Sequence, residues 1–120
     1  MRLGSLIFLG LAGASLAAWA ATPADKLEPR DIGAHVGETL TVTGTVSEVF
    51  TDRRSGATFI EMGGAYPFNS FAAVIFSDSA SQFPNVASLG GRNVKIAGVV
   101  RLYQGKPEII LMAADQLKPQ

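Results

Sequence analysis

From Glu38 onward, apolar residues recur at every second position in short runs, the period of a half-buried β-strand. The clearest run is Asn93 to Leu111, NVKIAGVVRLYQGKPEIIL. Val94, Ile96, Gly98, Val100 and Leu102 fall on one face, and Lys95, Ala97, Val99, Arg101 and Tyr103 on the other. Gln104-Gly105-Lys106 supplies a turn, and Glu108–Leu111 returns as a partner strand. Pro107 stands at the start of that strand, where its missing N–H costs least.

The same alternation predicts three earlier strands. Glu38–Phe50 is a long first strand, with Leu40, Val42, Gly44 and Val46 alternating with threonines. Its phase slips at Val49, which predicts a bulge around Ser47-Glu48. Gly44 predicts a sharp bend or a close backbone approach. Thr58–Met62 and Phe71–Phe76 are the second and third strands. Ser77–Gly91 breaks the pattern and predicts one or two helical turns ending before Pro84, with Phe83, Val86 and Leu89 tied to the end of the fold. Met112–Gln120 is a polar tail from which Leu117 packs back. The order is strand, strand, strand, short helix, strand, strand. A long, bent first strand lets one strand serve both halves of a small closed barrel.

Upstream of the strands the character changes. Met1–Ala21 has one early charge, Arg2, an apolar run from Leu6 to Leu16, and an A-x-A site at Ala18-Trp19-Ala20. It reads as a signal peptide, residues 1–20, cleaved after Ala20, and so predicts a bacterial periplasmic or secreted protein without a membrane anchor. Residues 21–37 are a polar lead-in arm broken by Pro23 and Pro29, with one helical turn near Ile32–His35. Residues 38–120 form the domain.

Composition narrows the chemistry. The chain has no cysteine, so export brings neither a disulfide framework nor a lipobox anchor. Ten Lys plus Arg balance ten Asp plus Glu, and loss of residues 1–20 removes Arg2, leaving −1. No basic excess names a nucleic-acid partner. His35 is the single histidine, which argues against a zinc site and against a hydrolase triad. Gly63-Gly64 lacks the Lys-Ser or Lys-Thr of a phosphate loop. No cofactor or metal is expected, and an enzyme ranks behind a binding module.

Five stretches carry a resemblance: VTGTV at Val42–Val46, SGATFIEMGG at Ser55–Gly64, YPFNSFAAVIF at Tyr66–Phe76, GRNVKIAGVVRLYQGKPEI at Gly91–Ile109 and DQL at Asp115–Leu117. Together they resemble the exported single-domain bacterial OB-fold proteins, relatives of the nucleic-acid-binding OB modules of tRNA-anticodon-binding and helicase proteins. The resemblance implies an all-β, five-stranded Greek-key OB-fold barrel with a short helix between strands three and four. It also implies a ligand surface on the outer face of strands two and three, flanked by the first-to-second and fourth-to-fifth strand loops.

On this chain that surface would hold Phe59, Glu61, Phe71 and Ala73, with Arg53 and Arg54 on one side and Tyr103, Gln104 and Lys106 on the other. Tyr66 and Phe68 in the Gly-rich loop and Arg101 complete the candidates. Aromatic rings stack on bases and arginines pair with phosphates. Phe59 and Phe71 equally fit cross-strand packing, and Arg53-Arg54 a solvated turn. Glu61 and Glu108 are candidate paired carboxylates whose separation the sequence leaves open. Two partner classes follow: single-stranded nucleic acid or oligonucleotide, which the resemblance favours, and, as the alternative, a periplasmic protein or envelope component.

Overall fold

A computed structural model of the protein describes residues 27–120, so the expected signal peptide and the first part of the arm lie outside the described residues. Six strands form among the described residues: β1 (Thr39–Thr51), β2 (Thr58–Met62), β3 (Phe71–Ile75), β4 (Asn93–Tyr103), β5 (Lys106–Ile110) and β6 (Leu117–Pro119). The pairing order is β1-β2-β3-β5-β4-β6, and an additional β1–β4 pairing closes the first five strands into a ring. All ring pairings are antiparallel except β3–β5.

The two long strands make closure possible, because each serves two neighbours. Residues 39–45 of β1 pair with β4 and residues 46–51 with β2. Residues 93–99 of β4 pair with β1 and residues 100–103 with β5. β1 changes partner at an irregularity, and β4 just after a close-packed glycine. In β1 it is the expected bulge: the register shifts between Val46 and Glu48, so Ser47 is the extra residue. In β4 it is Gly98, where an added Cβ would stand 2.5 Å from Ile109 Cγ2, closer than two carbons approach. Gly44 proves to be a close approach: its missing Cβ leaves room for Pro29 Cδ at 3.0 Å and Met62 Cε at 3.1 Å.

The β4–β5 hairpin is tighter than a three-residue turn. Tyr103 pairs with Lys106, so only Gln104 and Gly105 turn the chain, both with positive φ. Two positive φ values in a two-residue loop match the twist of the flanking strands.

The ring interior is apolar. Ile60, Met62, Phe71, Ala73, Ile75, Ile96 and Ile109 are fully enclosed. Between β3 and β4 lie two short 3₁₀ segments, Ser77–Gln82 and Val86–Leu89, rather than an α-helix. Pro84 falls between them and limits the run. Phe83 and Leu89 are buried and Val86 packs against the core, as the pattern predicts.

The arm is more than a lead-in. Pro29–His35 is a 3₁₀ segment that touches β1, β3, β4 and β5 and puts Ile32 wholly inside the core. Leu27 bridges Val42 in parallel, and the Thr43 N–H donates to Leu27 O at 3.0 Å. This covers the edge of β1 that β2 does not reach. The folded unit therefore begins at least eleven residues before the expected boundary at 38, because Leu27, Ile32 and Val36 stand among polar residues without the period of a strand, and nothing local marks Ile32 as the buried one.

The tail is also better ordered than its polarity suggests. β6 pairs with Val94–Ile96 of β4. Gln116 accepts from the Met112 and Ala113 N–H groups at 2.7 and 2.9 Å and donates to Ala97 O and Ile110 O at 3.0 and 3.2 Å. That uses both ends of its amide and ties the tail across the β4–β5 pair.

Candidate functional site

The outer face of the ring carries a row of side chains fixed by register. Glu48 lies opposite Glu61, Glu61 opposite Ala72, Ala72 beside Glu108, and Glu108 opposite Arg101. Two residues along on the same face, Phe50 opposes Phe59. Their rings stack with centroids 6.4 Å apart at 25°, within the range of favourable aromatic pairs.

These residues line an open groove of about 670 Å³, the size of a small-ligand or side-chain pocket. Phe50, Phe59, Glu48, Glu61 and Asp52 form one wall, Tyr103, Gln104, Lys106 and Glu108 another, and Tyr66, Pro67 and Asn69 come from the β2–β3 loop.

Several candidates stand where the sequence places them. Phe59, Glu61, Tyr66, Tyr103, Gln104 and Lys106 all line the groove. Phe71 does not. It is 0% exposed, the largest of the enclosed side chains, and belongs to the core. It pairs with Met62, and Ala73 with Ile60, both inward-facing, so the outer face of β3 is Ala72 and Val74. The nearly apolar run FAAVIF gives no contrast from which to read that phase. Phe68 is 86% exposed but is not part of the groove lining. Arg53 and Arg54 are exposed in the β1–β2 turn and likewise do not line it.

The two cations nearest the groove are committed to the protein itself. Arg101 Nε donates to Glu108 Oε2 at 2.7 Å, and the Glu108 side chain is almost wholly covered. Lys106 Nζ donates to Pro67 O, to Asn69 O at 3.2 Å and to Asn69 Oδ1 at 2.9 Å, and sits 5.6 Å from the Tyr66 ring centroid. An ammonium has three N–H donors, so these acceptors saturate it. Lys106 is a staple that holds the Tyr66–Asn69 loop over the groove end. Its expected role as a phosphate contact would require breaking that staple.

The carboxylates are less well provided for. Glu61 is only 4% exposed, and its Oε1 has no hydrogen-bond partner. Leaving such an acceptor unmade costs about 1–3 kcal/mol. Burial chiefly, and then the facing Glu48, push the Glu61 carboxyl above its ordinary value, while Lys106 pulls the other way. Asp52 is different. Ser55 donates to its Oδ2 through Oγ at 2.7 Å and N–H at 3.0 Å, which holds its carboxyl below the ordinary value. It is a turn residue as much as a groove residue.

The candidate pair Glu61 and Glu108 shares the row, separated by Ala72 on the strand between. Of the two, Glu61 is the one with a buried oxygen that has no partner. Among the described residues, no group of three or more His, Cys, Asp or Glu is placed to hold a metal ion. Sequence reasoning missed Phe50, Glu48 and Asp52. The bulge at Ser47 was the available signal, since it turns Glu48 and Phe50 outward.

No protein-family model and no curated protein matches the chain. Solved structures do. The chain is similar to OBody AM1L10 bound to hen egg-white lysozyme, with a TM-score of 0.61 and 16% identity over 84% of this chain and 98% of that one. It is similar also to OBody AM2EP06 bound to hen egg-white lysozyme, with a TM-score of 0.58 and 15% identity over 83% and 96%. At that identity the likeness concerns the fold: the five-strand ring is arranged as in these OB-fold scaffolds.

Proposed function

We propose that this protein is a non-catalytic OB-fold binding module, a Greek-key barrel whose groove holds a segment of a protein partner. The observation that carries the reading is the balance of the groove. It presents Phe50, Phe59, Tyr66 and Tyr103 together with Glu48, Asp52 and Glu61, while the Lys106 ammonium is saturated by Pro67 and Asn69 and Arg101 is paired through Nε with Glu108. A nucleic-acid strand brings its phosphates wherever its bases stack, and phosphates need unpaired cations. Aromatic rings that cover a hydrophobic side chain need none. The two solved structures described above are of chains bound to a protein, which is consistent with this use of the surface. Residues 1–20 support export, which places the partner among envelope or extracellular proteins.

The competing reading, inherited from the resemblance, is single-stranded nucleic acid held by Arg53, Arg54 and the aromatics. Fluorescence anisotropy of a labelled mixed-sequence oligonucleotide against the protein, at low and moderate salt, separates the two. The expected result is no binding at low salt, where electrostatic contacts are strongest. Binding that weakens with salt and disappears in an Arg53→Ala/Arg54→Ala variant would overturn the protein-partner reading.

A further inference from the structure

We infer that the groove recognises a positively charged side chain, arginine or lysine, on the partner segment, with Glu61 as its buried counter-ion and Phe50, Phe59 and Tyr103 as the wall along its stem. This rests on the protein-segment reading and specifies what that segment must carry.

Three independent features converge. Glu61 lines the groove, is almost wholly buried, and keeps one carboxylate oxygen without a partner. Glu48 opposes it across β1–β2, so a second negative charge faces the same space. The stacked Phe50–Phe59 pair is the next pair on the same face, two register positions away. An N⁺–H donor meeting a carboxylate makes a strong, short hydrogen bond, and an aromatic face attracts the same cation. Among the described residues no group donates to that oxygen: the Lys106 ammonium is saturated by Pro67 and Asn69, and Arg101 directs its Nε–H to Glu108. An anionic ligand would instead meet Glu48, Asp52 and Glu61 together.

The charges around Glu61 set the pH behaviour. Glu48 faces it from β1, Ala72 from β3 brings no charge, β5 contributes Lys106 and Glu108, and Glu108 is neutralised by Arg101 of β4. A bound cation favours the ionised carboxylate. Binding therefore tightens as pH rises from mildly acid to neutral, because the cation no longer has to displace a proton from Glu61.

Fluorescein-labelled peptides in which glycine alternates with arginine, lysine, serine or glutamate test this by anisotropy against the full protein. The arginine and lysine peptides should bind, the serine peptide more weakly, and the glutamate peptide not at all. Glu61→Gln keeps the shape and removes the charge. It should weaken the arginine peptide about tenfold or more and abolish the pH dependence. Glu48→Gln, at an exposed position, should weaken it less, and Asp78→Asn, away from the groove, should leave it unchanged. Circular dichroism checks that each variant is folded.

Equal affinity of wild type and Glu61→Gln for the arginine peptide overturns the inference, as does failure of every peptide to bind. If the serine peptide binds as tightly as the arginine peptide and loses affinity in Phe59→Ala, the protein-segment reading stands and the cationic specificity falls. If only the oligonucleotide binds, both fall.

Discussion

The inner and outer faces of β2 are built from alternate residues of one five-residue strand, and they follow opposite rules. Inward, Ile60 and Met62 are enclosed by apolar neighbours and ask nothing beyond contact. Outward, Phe59 is left half-covered and Glu61 is covered but unpartnered. A face evolved only for stability would not seat a carboxylate opposite another carboxylate, since like charges directly across a strand pair are destabilising. The contrast teaches that the two faces answer to different demands: the inside is optimised for the ring, and the outside carries an unfavourable arrangement that a ligand can relieve.

The contrast can be broken from the inside first. Ile32→Ala should have the largest effect, a loss of about 2–5 kcal/mol of stability in chemical denaturation, because it empties a fully enclosed site. Gly98→Ala follows, with a loss of about 1–3 kcal/mol from overpacking, as the new methyl collides with Ile109.

The outer face should respond with the opposite sign. Glu61→Gln is expected to raise stability at neutral pH by about 1 kcal/mol, since a neutral amide replaces a buried charge facing Glu48. The pH dependence sharpens this. A carboxyl raised in the folded state lets the unfolded chain ionise first, so stability falls as pH rises through its folded value. Wild type should lose stability over the mildly acid range upward, and Glu61→Gln should lose less. Asp52, lowered in the folded state, acts in reverse: its contribution is lost as pH falls through its folded value, and Asp52→Asn should flatten that acid limb.

The smallest effect concerns the loop. Lys106→Met should leave global stability nearly unchanged while speeding amide hydrogen exchange at Phe68 and Ser70, because the acceptors at Pro67 and Asn69 lose their shared donor.

How far the sequence could be read follows the same division. The inner face was legible because alternation reports burial: Leu40, Val42 and Val46, or Val94, Ile96 and Val100, need only a period of two. The bulge in β1 was legible for the same reason, as a slip in that period. β3 was not, because FAAVIF is apolar on both sides, and Phe71 was consequently assigned to the wrong face. Ile32 and β6 were hidden by their polar surroundings.

In the groove, the residue types were visible but their engagements were not. Nothing local to Lys106 announces that its ammonium ends on Asn69, 37 positions away. Whether a cation is free for a ligand is a tertiary fact. Reading charges from the sequence counted Arg101 and Lys106 as available and passed over Glu48, which alters the kind of partner the surface suits.

The extra residue in β1 has a consequence that reaches beyond geometry. Before Ser47 the even-numbered residues Leu40, Val42 and Val46 point inward; after it, even-numbered Glu48 and Phe50 point outward and Val49 opposes inward-facing Ile60. Ser47 itself is left to accept the Gly64 N–H at 3.0 Å, anchoring the β2–β3 loop. The strand is thus punctuated like a message whose frame changes midway. Were Ser47 paired in step instead of bulged out, what is shown and what is hidden would change places: Glu48 and Phe50 would turn into the interior and Val49 to the surface, with no residue altered. The identity of the groove is written in how the strand is paired as much as in the kind of its residues.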